Sequence, residues 1–393
     1  MTVLDLRKHY SLFLEGHKGK IHLAAHSHHF WPDVSRQGHI DYWDDCAKSS
    51  DQKWDNIFST IIPYAQKKIA QILNLKNHQQ IVFAPNTHEL TTRLLSTFLG
   101  RDSLSILTTD SEFHSWKRQV KRLEELKGVR VTWLKTDSLL ENKQDFLDEI
   151  VKHLKTSPDL FFISQVFFDS GLALCEEDFI FLYSKMSPQT TMVIDGYHGF
   201  AALPTDLSEL EGKVFYLAGG YKYAQAGEGA AFMVIPQKSY RPSYTGWFAQ
   251  FANLAQSSEE LVGYSQDFMS FMGSTQDMSG LYRFKSVWSL FSELDLDIPT
   301  IHQHVRSLQL EFIQRFSDKL IKAFKLKLLW NELAPHGHFL TYLASSEAEA
   351  AVVEEELKAK GIIIDRRDRR LRFGFGLYHT RMTLEEFEVS LNF

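Results

Sequence analysis

Cysteine is scarce in this 393-residue chain: Cys46 and Cys175 are the only two. Two are too few for a disulfide framework and suit a reducing compartment. Basic excess is missing as well. The formal net charge of −6 provides no electrostatic footprint for nucleic acid. The run "DRRDRRLR" (365–372) is short and is offset by "EAEAAVVEEE" upstream. No stretch reaches the ~18 uninterrupted apolar residues that suggest a membrane span. The first twenty residues lack an apolar h-region and a small-residue cleavage site, so no signal peptide is expected. Internal repeats and low-complexity segments are also absent. These absences imply a cytoplasmic protein that binds neither nucleic acid nor membrane.

What is present is a large soluble core. Hydrophobic residues make up 44% and charged residues 23%, and the length exceeds a single ordinary core, so two lobes are expected. From about 80 to 236, apolar runs alternate with amphipathic stretches: "QIVFAP", "SLSILTT", "VRVTWLK", "LFFISQVF", "TMVID", "KVFYLA" and "AAFMVIP". That alternation predicts an α/β fold, a mostly parallel sheet of the seven-stranded type with helices on both faces. Beyond 290 long helices dominate and predict a smaller α+β lobe. The expected division is a large domain over 15–260 and a small domain built from 1–14 and 261–393.

In open α/β sheets ligands bind at the carboxyl ends of the strands, so the residues following each strand carry the functional reading. After "IVFAP" comes Asn86-Thr87-His88-Glu89, a predicted helix start with a capping-box-like pair. Its free N–H groups suit an anion such as a phosphate, although most capped helices bind nothing. The strand "TMVID" ends on Asp195, which taken alone reads more readily as a cap or a turn than as a functional acid. "GGYKYAQAGEG" sets Lys222 between Tyr221 and Tyr223, among glycines and between two buried strands. A charged amine so placed suits a lysine whose pKa is lowered for nucleophilic attack. A helix start for a phosphate, an acid for a pyridinium nitrogen and a lysine for an aldehyde are the three requirements of pyridoxal 5'-phosphate.

With these residues in view, the chain resembles the fold-type I pyridoxal-phosphate enzymes of the class V aminotransferase group, and within it the kynureninases. The resemblance runs through "HLAAHSHHFWP" (22–32), "DGYHGFAALPTDLSE" (195–209), "GGYKYAQAGEGAAF" (219–232) and "DRRDRRLRFGFGLYHTRMTLEEF" (365–387). It implies that Lys222 holds the cofactor aldehyde and moves protons, that Asp195 pairs with the ring nitrogen, and that His198 lies beside it. Thr87 and His88 would meet the phosphate, Phe113 would stack on the ring, and Tyr221 would touch the phosphate and act as an acid. Arg372 would bind the substrate carboxylate, with His26 and Ser27 nearby. Trp247 and Thr275 would help complete the site, in part from the partner subunit of a homodimer. The implied activity is hydrolytic Cβ–Cγ cleavage of L-kynurenine or 3-hydroxykynurenine to alanine and anthranilate, a step of tryptophan catabolism. The alternative is a class V aminotransferase or another lyase on a different amino acid.

Several positions depart from the kynureninase pattern. His26 replaces an asparagine, Gly220 replaces a serine, and "FFDSG" and "TQDM" differ around the expected substrate pocket. His22, His26, His28 and His29 raise the thought of a metal, but pocket and loop roles account for them and no metal is expected. A cysteine desulfurase would need a nucleophilic cysteine shortly before the carboxylate-binding arginine, and no cysteine follows Cys175. A non-catalytic relative has no need to keep Asp195, Lys222 and Arg372 together.

Overall fold

The structure is a computed structural model that describes residues 4–256, 262–330 and 335–391. Its centre is a seven-stranded sheet. In spatial order the strands are Ile81–Ala84, Ala231–Val234, Phe215–Gly219, Thr191–Asp195, Leu160–Ser164, Leu104–Thr109 and Val129–Leu134. Interior strands such as "LFFIS" and "FYLAG" are buried at every position, as expected for strands covered on both faces. The edge strand "VRVTWL" instead exposes Arg130 and Thr132, which keeps charge on an open edge.

The sheet is mixed. Strands from Val129–Leu134 across to Phe215–Gly219 pair in parallel. Ala231–Val234 runs antiparallel to both of its neighbours. The physical reason lies in the loop after Gly219, which is too short for a crossover helix and returns the chain directly. Ile81–Ala84 thereby recovers the direction of the parallel set, so its carboxyl end shares an edge with those of Thr191–Asp195 and Phe215–Gly219.

Hydrophobic packing gathers the chain into two clusters. Residues from Met269 to Ile301 join the larger cluster around the sheet, whereas Ile21 and Leu23 join a smaller one with Val305, Phe312, Leu371 and Phe387. The reason is contact between distant helices: Ser279–Glu293 packs along Val34–Ser49. The two helices come close at Gly38, where an added Cβ would meet the Ser286 hydroxyl at 2.6 Å. The smaller lobe carries an antiparallel sheet of Asp365–Arg367, Arg370–Gly374, Phe339–Leu343 and Lys327–Leu329. Ile21–His22 pairs in parallel with Ile362–Ile363, and Ala24 bridges Gly374. The N-terminal loop is thus pinned between the lobes. Among the described residues no helix is long and apolar enough to cross a membrane.

Candidate active site

Three chain segments meet at the shared carboxyl edge. Asn86 caps the helix Thr87–Ser96 by accepting from the Glu89 N–H at 3.0 Å. Glu89 does not return the favour but pairs with Arg93 at 2.6 Å, so the cap is a single bond and no reciprocal box. Asp195 ends its strand, and the loop after Gly219 delivers Lys222. Thr87, His88, Phe113, Asp195, His198, Tyr221 and Lys222 all line one cavity of about 210 Å³.

Lys222 is 5% exposed. Burial, reinforced by Arg372 and partly offset by Asp195, lowers its amine to about 7. Its Nζ rests against Nε2 of His198 and lies 5.1, 5.8 and 5.9 Å from the rings of Tyr197, Tyr221 and Phe113. The two flanking tyrosines therefore serve different ends. Tyr221 faces the cavity, while Tyr223 packs edge-on to His338, 5.1 Å away, in the core. The glycines before the lysine serve packing within the protein: an added Cβ at Gly219 would meet the Tyr197 hydroxyl at 2.3 Å. His198 is buried and held neutral, its ring pushed far down by burial and then by Lys222.

Asp195 accepts the Tyr197 N–H at 2.9 Å through Oδ1. Among the described residues no donor meets its second oxygen, and burial raises its carboxyl to about 6. Behind it lies Glu112, wholly buried. This carboxyl accepts from Thr109 at 2.6 Å, the Ser164 hydroxyl at 2.5 Å and the Ser164 N–H at 3.3 Å, and burial pushes it up to about 8.

Arg372 stands one layer back, behind Phe168. Its guanidinium lies 4.1 Å from the Phe168 ring and donates to the Phe168 carbonyl at 2.9 Å and to Asp365 at 2.8 Å. His26 is fully buried, stacked on Phe339 at 4.6 Å, with its ring 6.3 Å from that of His198. Gly374 makes room for it, since an added Cβ would fall 2.1 Å from the His26 Nδ1.

Besides Arg372 and His26, three further expected residues lie outside the cavity of a single chain. Ser27 is half-buried and contacts His28 at 3.1 Å. Trp247 is 46% exposed and stacks on Phe248, and Thr275 is exposed. His22 meets the Tyr378 hydroxyl and His29 the Phe30 carbonyl. Among the described residues no cluster of metal-ligating side chains forms. Both cysteines lie away from the cavity. Cys175 donates to Asp178 at 3.1 Å at the start of the helix Glu176–Ser184, and burial drives its thiol up to about 12.

The sequence reading omits Ser164, Phe168 and Tyr197 from the wall, together with Glu112 and Asp365 behind it. Tyr197 and Ser164 carried a signal, as residues at or just past strand ends. Phe168 lies in "FFDSG", a stretch expected near the substrate pocket, and Asp365 opens the run 365–372; what neither stretch reveals is their contact, which depends on how the lobes meet.

Residues 40–365 match the family described as Aminotransferase class-V, and the chain belongs to that family. No curated protein matches it. Among solved structures it is similar to a lysine-to-alanine variant of C-DES with glycine covalently linked to its pyridoxal-phosphate cofactor. The TM-score there is 0.83 at 15% identity, covering 99% of this chain and 100% of that one. An apo cysteine desulfurase from Thermococcus onnurineus NA1 gives 0.79 at 15% identity, covering 100% and 98%. The cystine C–S lyase C-DES in complex with cysteine persulfide gives 0.77 at 16% identity, covering 96% and 98%. At such identities the likeness establishes the shared fold.

Proposed function

We propose that the chain is a pyridoxal-phosphate-dependent lyase that acts on an α-amino acid and splits its side chain from Cβ. One observation carries the reading: a neutralisable amine at Lys222, an acid at Asp195 with one unpartnered oxygen and a helix start at Thr87 converge on a single cavity. These fit the cofactor's aldehyde, ring nitrogen and phosphate respectively. Phe113 offers a ring face beside them. When bound, the cofactor supplies an electron sink next to the substrate α-carbon.

The chain's own groups then have assignable work. Lys222, its amine brought down to about 7 by burial, takes and returns the proton at the α-carbon, with neutral His198 orienting its amine. Asp195 holds positive charge at the ring nitrogen. Tyr221, pushed up to about 12 by burial, stays protonated and serves as acid to the departing group. Arg372 takes the α-carboxylate. A homodimer belongs to the reading, with the exposed Trp247 and Thr275 of one chain completing the partner's cavity.

The family and the C–S lyase and desulfurase neighbours support a lyase; the kynureninase reading rests on sequence motifs alone. Neither cysteine is placed to accept sulfur from a substrate, which separates this chain from an enzyme using a cavity thiolate. The deciding test is to load the protein with cofactor and offer L-cystine, L-cysteine and L-kynurenine. Pyruvate from a sulfur amino acid is expected. Anthranilate from L-kynurenine would replace this reading with kynureninase. Conversion of the cofactor to its amine form without either product would indicate an aminotransferase.

A further inference from the structure

Asp365 and Arg372 face each other as partners across the hairpin strands Asp365–Arg367 and Arg370–Gly374. Oδ2 of Asp365 takes both Nε and Nη2 of the guanidinium, and Nη1 donates to the Phe168 carbonyl. The arginine side chain is 2% exposed, so no edge of its fork is open to a ligand. Phe168 contributes main chain, anchored by its own N–H to the Ser111 carbonyl at 3.2 Å. Asp365 contributes a side chain and is the partner able to turn.

Somewhere to turn exists on both sides. Oδ1 of Asp365 already meets Arg367 at 3.0 Å. Nε2 of His26 lies 3.7 Å from Oδ2, just beyond a hydrogen bond. Among the described residues both ring nitrogens of His26 are buried without a partner, an arrangement that native interiors rarely leave unanswered. A small rotation of the carboxyl would give His26 that partner.

We infer that Asp365 is a stand-in for the substrate carboxylate: it fills the Arg372 fork until an incoming α-carboxylate displaces it onto His26 and Arg367. The inference rests on the reading that Arg372 takes that carboxylate. Asp365 is then a positioning residue that sets specificity, since only a ligand whose carboxylate outcompetes it gains the arginine. The same displacement leaves no charge stranded, because the turned carboxyl keeps Arg367 and gains His26.

Two reagents isolate this effect from catalysis. Aminooxyacetate and methoxyamine capture the cofactor aldehyde with the same nucleophile and differ by a carboxylate. The ratio of their rate constants, followed by loss of the yellow band of the cofactor-loaded protein, reads carboxylate recognition alone. Asp365→Asn should raise that ratio at least about twofold, the low end of coupling between contacting groups. His26→Phe should lower it, and should have no effect once Asp365→Asn is present; Arg372→Lys should bring the ratio towards one. An unchanged or lowered ratio in Asp365→Asn, or additive effects of the two substitutions, overturns the inference. If Asp365→Asn does not fold, His26→Phe decides alone, and an unmoved ratio refutes. If methoxyamine finds no aldehyde at all, the cofactor reading falls and this one with it. If it reacts and the ratios stay fixed, this one alone falls.

Discussion

The sheet side of the site and the small-lobe layer behind Phe168 treat charge in opposite ways. On the sheet side, buried Lys222 and half-buried Asp195 keep unmet valences: among the described residues one carboxylate oxygen lacks a donor, and the amine has only neutral His198 at its tip. On the small-lobe side, Arg372 is buried with every nitrogen engaged, and Asp365 is shared between two arginines. Burial raises the Asp195 carboxyl to about 6. It would raise Asp365 too, but His26 and Arg372 hold that carboxyl well below the usual carboxylate range. The lesson is that one side is kept short of partners for a group to come, while the other is complete and must exchange a partner to bind. An unmet buried group destabilises a fold, whereas in a paired set it is the removal of one partner that destabilises. Removing charge from the two sides should therefore act in opposite directions.

The largest effect tests the sheet side through chemistry. Lys222→Ala should lower turnover by at least ~10³-fold, within the range for loss of a proton-transferring group. It should also prevent borohydride from fixing the cofactor to the chain, as mass spectrometry would read. Next comes stability on the small-lobe side. Arg372→Gln takes from Asp365 its main partner but leaves it Arg367 and a turn onto His26, so it should cost about 1.5–3 kcal/mol in denaturant unfolding, the range for hydrogen bonds to charged groups. A loss under ~1 kcal/mol would deny that this layer is self-paired.

Acid should then weaken the lobe junction in particular. Burial holds His26 and His379 down to about 3, and His29, His304 and His336 down to about 4. Their folded values lie below the ordinary 6.5, so below that pH the unfolded chain binds protons that the folded chain refuses. Stability falls as pH drops from about 6.5 towards 4, each ring contributing up to ~1.4 kcal/mol per pH unit. Melting at pH 7.5 and 5.5 measures it, and a flat Tm would contradict the burial of neutral rings.

Lys222 shares that sign of pH dependence, but removing its charge should act opposite to removing that of Arg372. Its amine lies at about 7 against an ordinary 10.5, so between those values the unfolded chain holds the extra proton. The penalty is complete below about pH 7 and fades as pH rises to 10.5. Lys222→Met should therefore raise the Tm of the cofactor-free protein at pH 7. The increase should shrink by pH 10. For the same reason, cofactor uptake by the native chain should accelerate up to about pH 7 and then level off, which stopped-flow absorbance would follow.

Much of the sheet side was legible in the chain itself. Asn86 with its helix, Asp195 and Lys222 each sit at or just past an apolar run, and strand polarity alone sends such residues to one edge. Direction was less legible: "AAFMVIP" reads as one more strand, and only the short return after Gly219 makes it antiparallel. Glu112 was hidden because a buried carboxyl reads as surface until Thr109 and Ser164 are seen around it.

Local order of residues thus determined the α/β class, the strand ends and the trio of helix start, acid and lysine, because backbone period and strand polarity are short-range properties. Only the tertiary structure decided that His26, Phe168, Asp365 and Arg372, from three distant segments, come together. Their pairing depends on how two lobes dock, and docking is a sum over contacts that no local pattern of residues encodes.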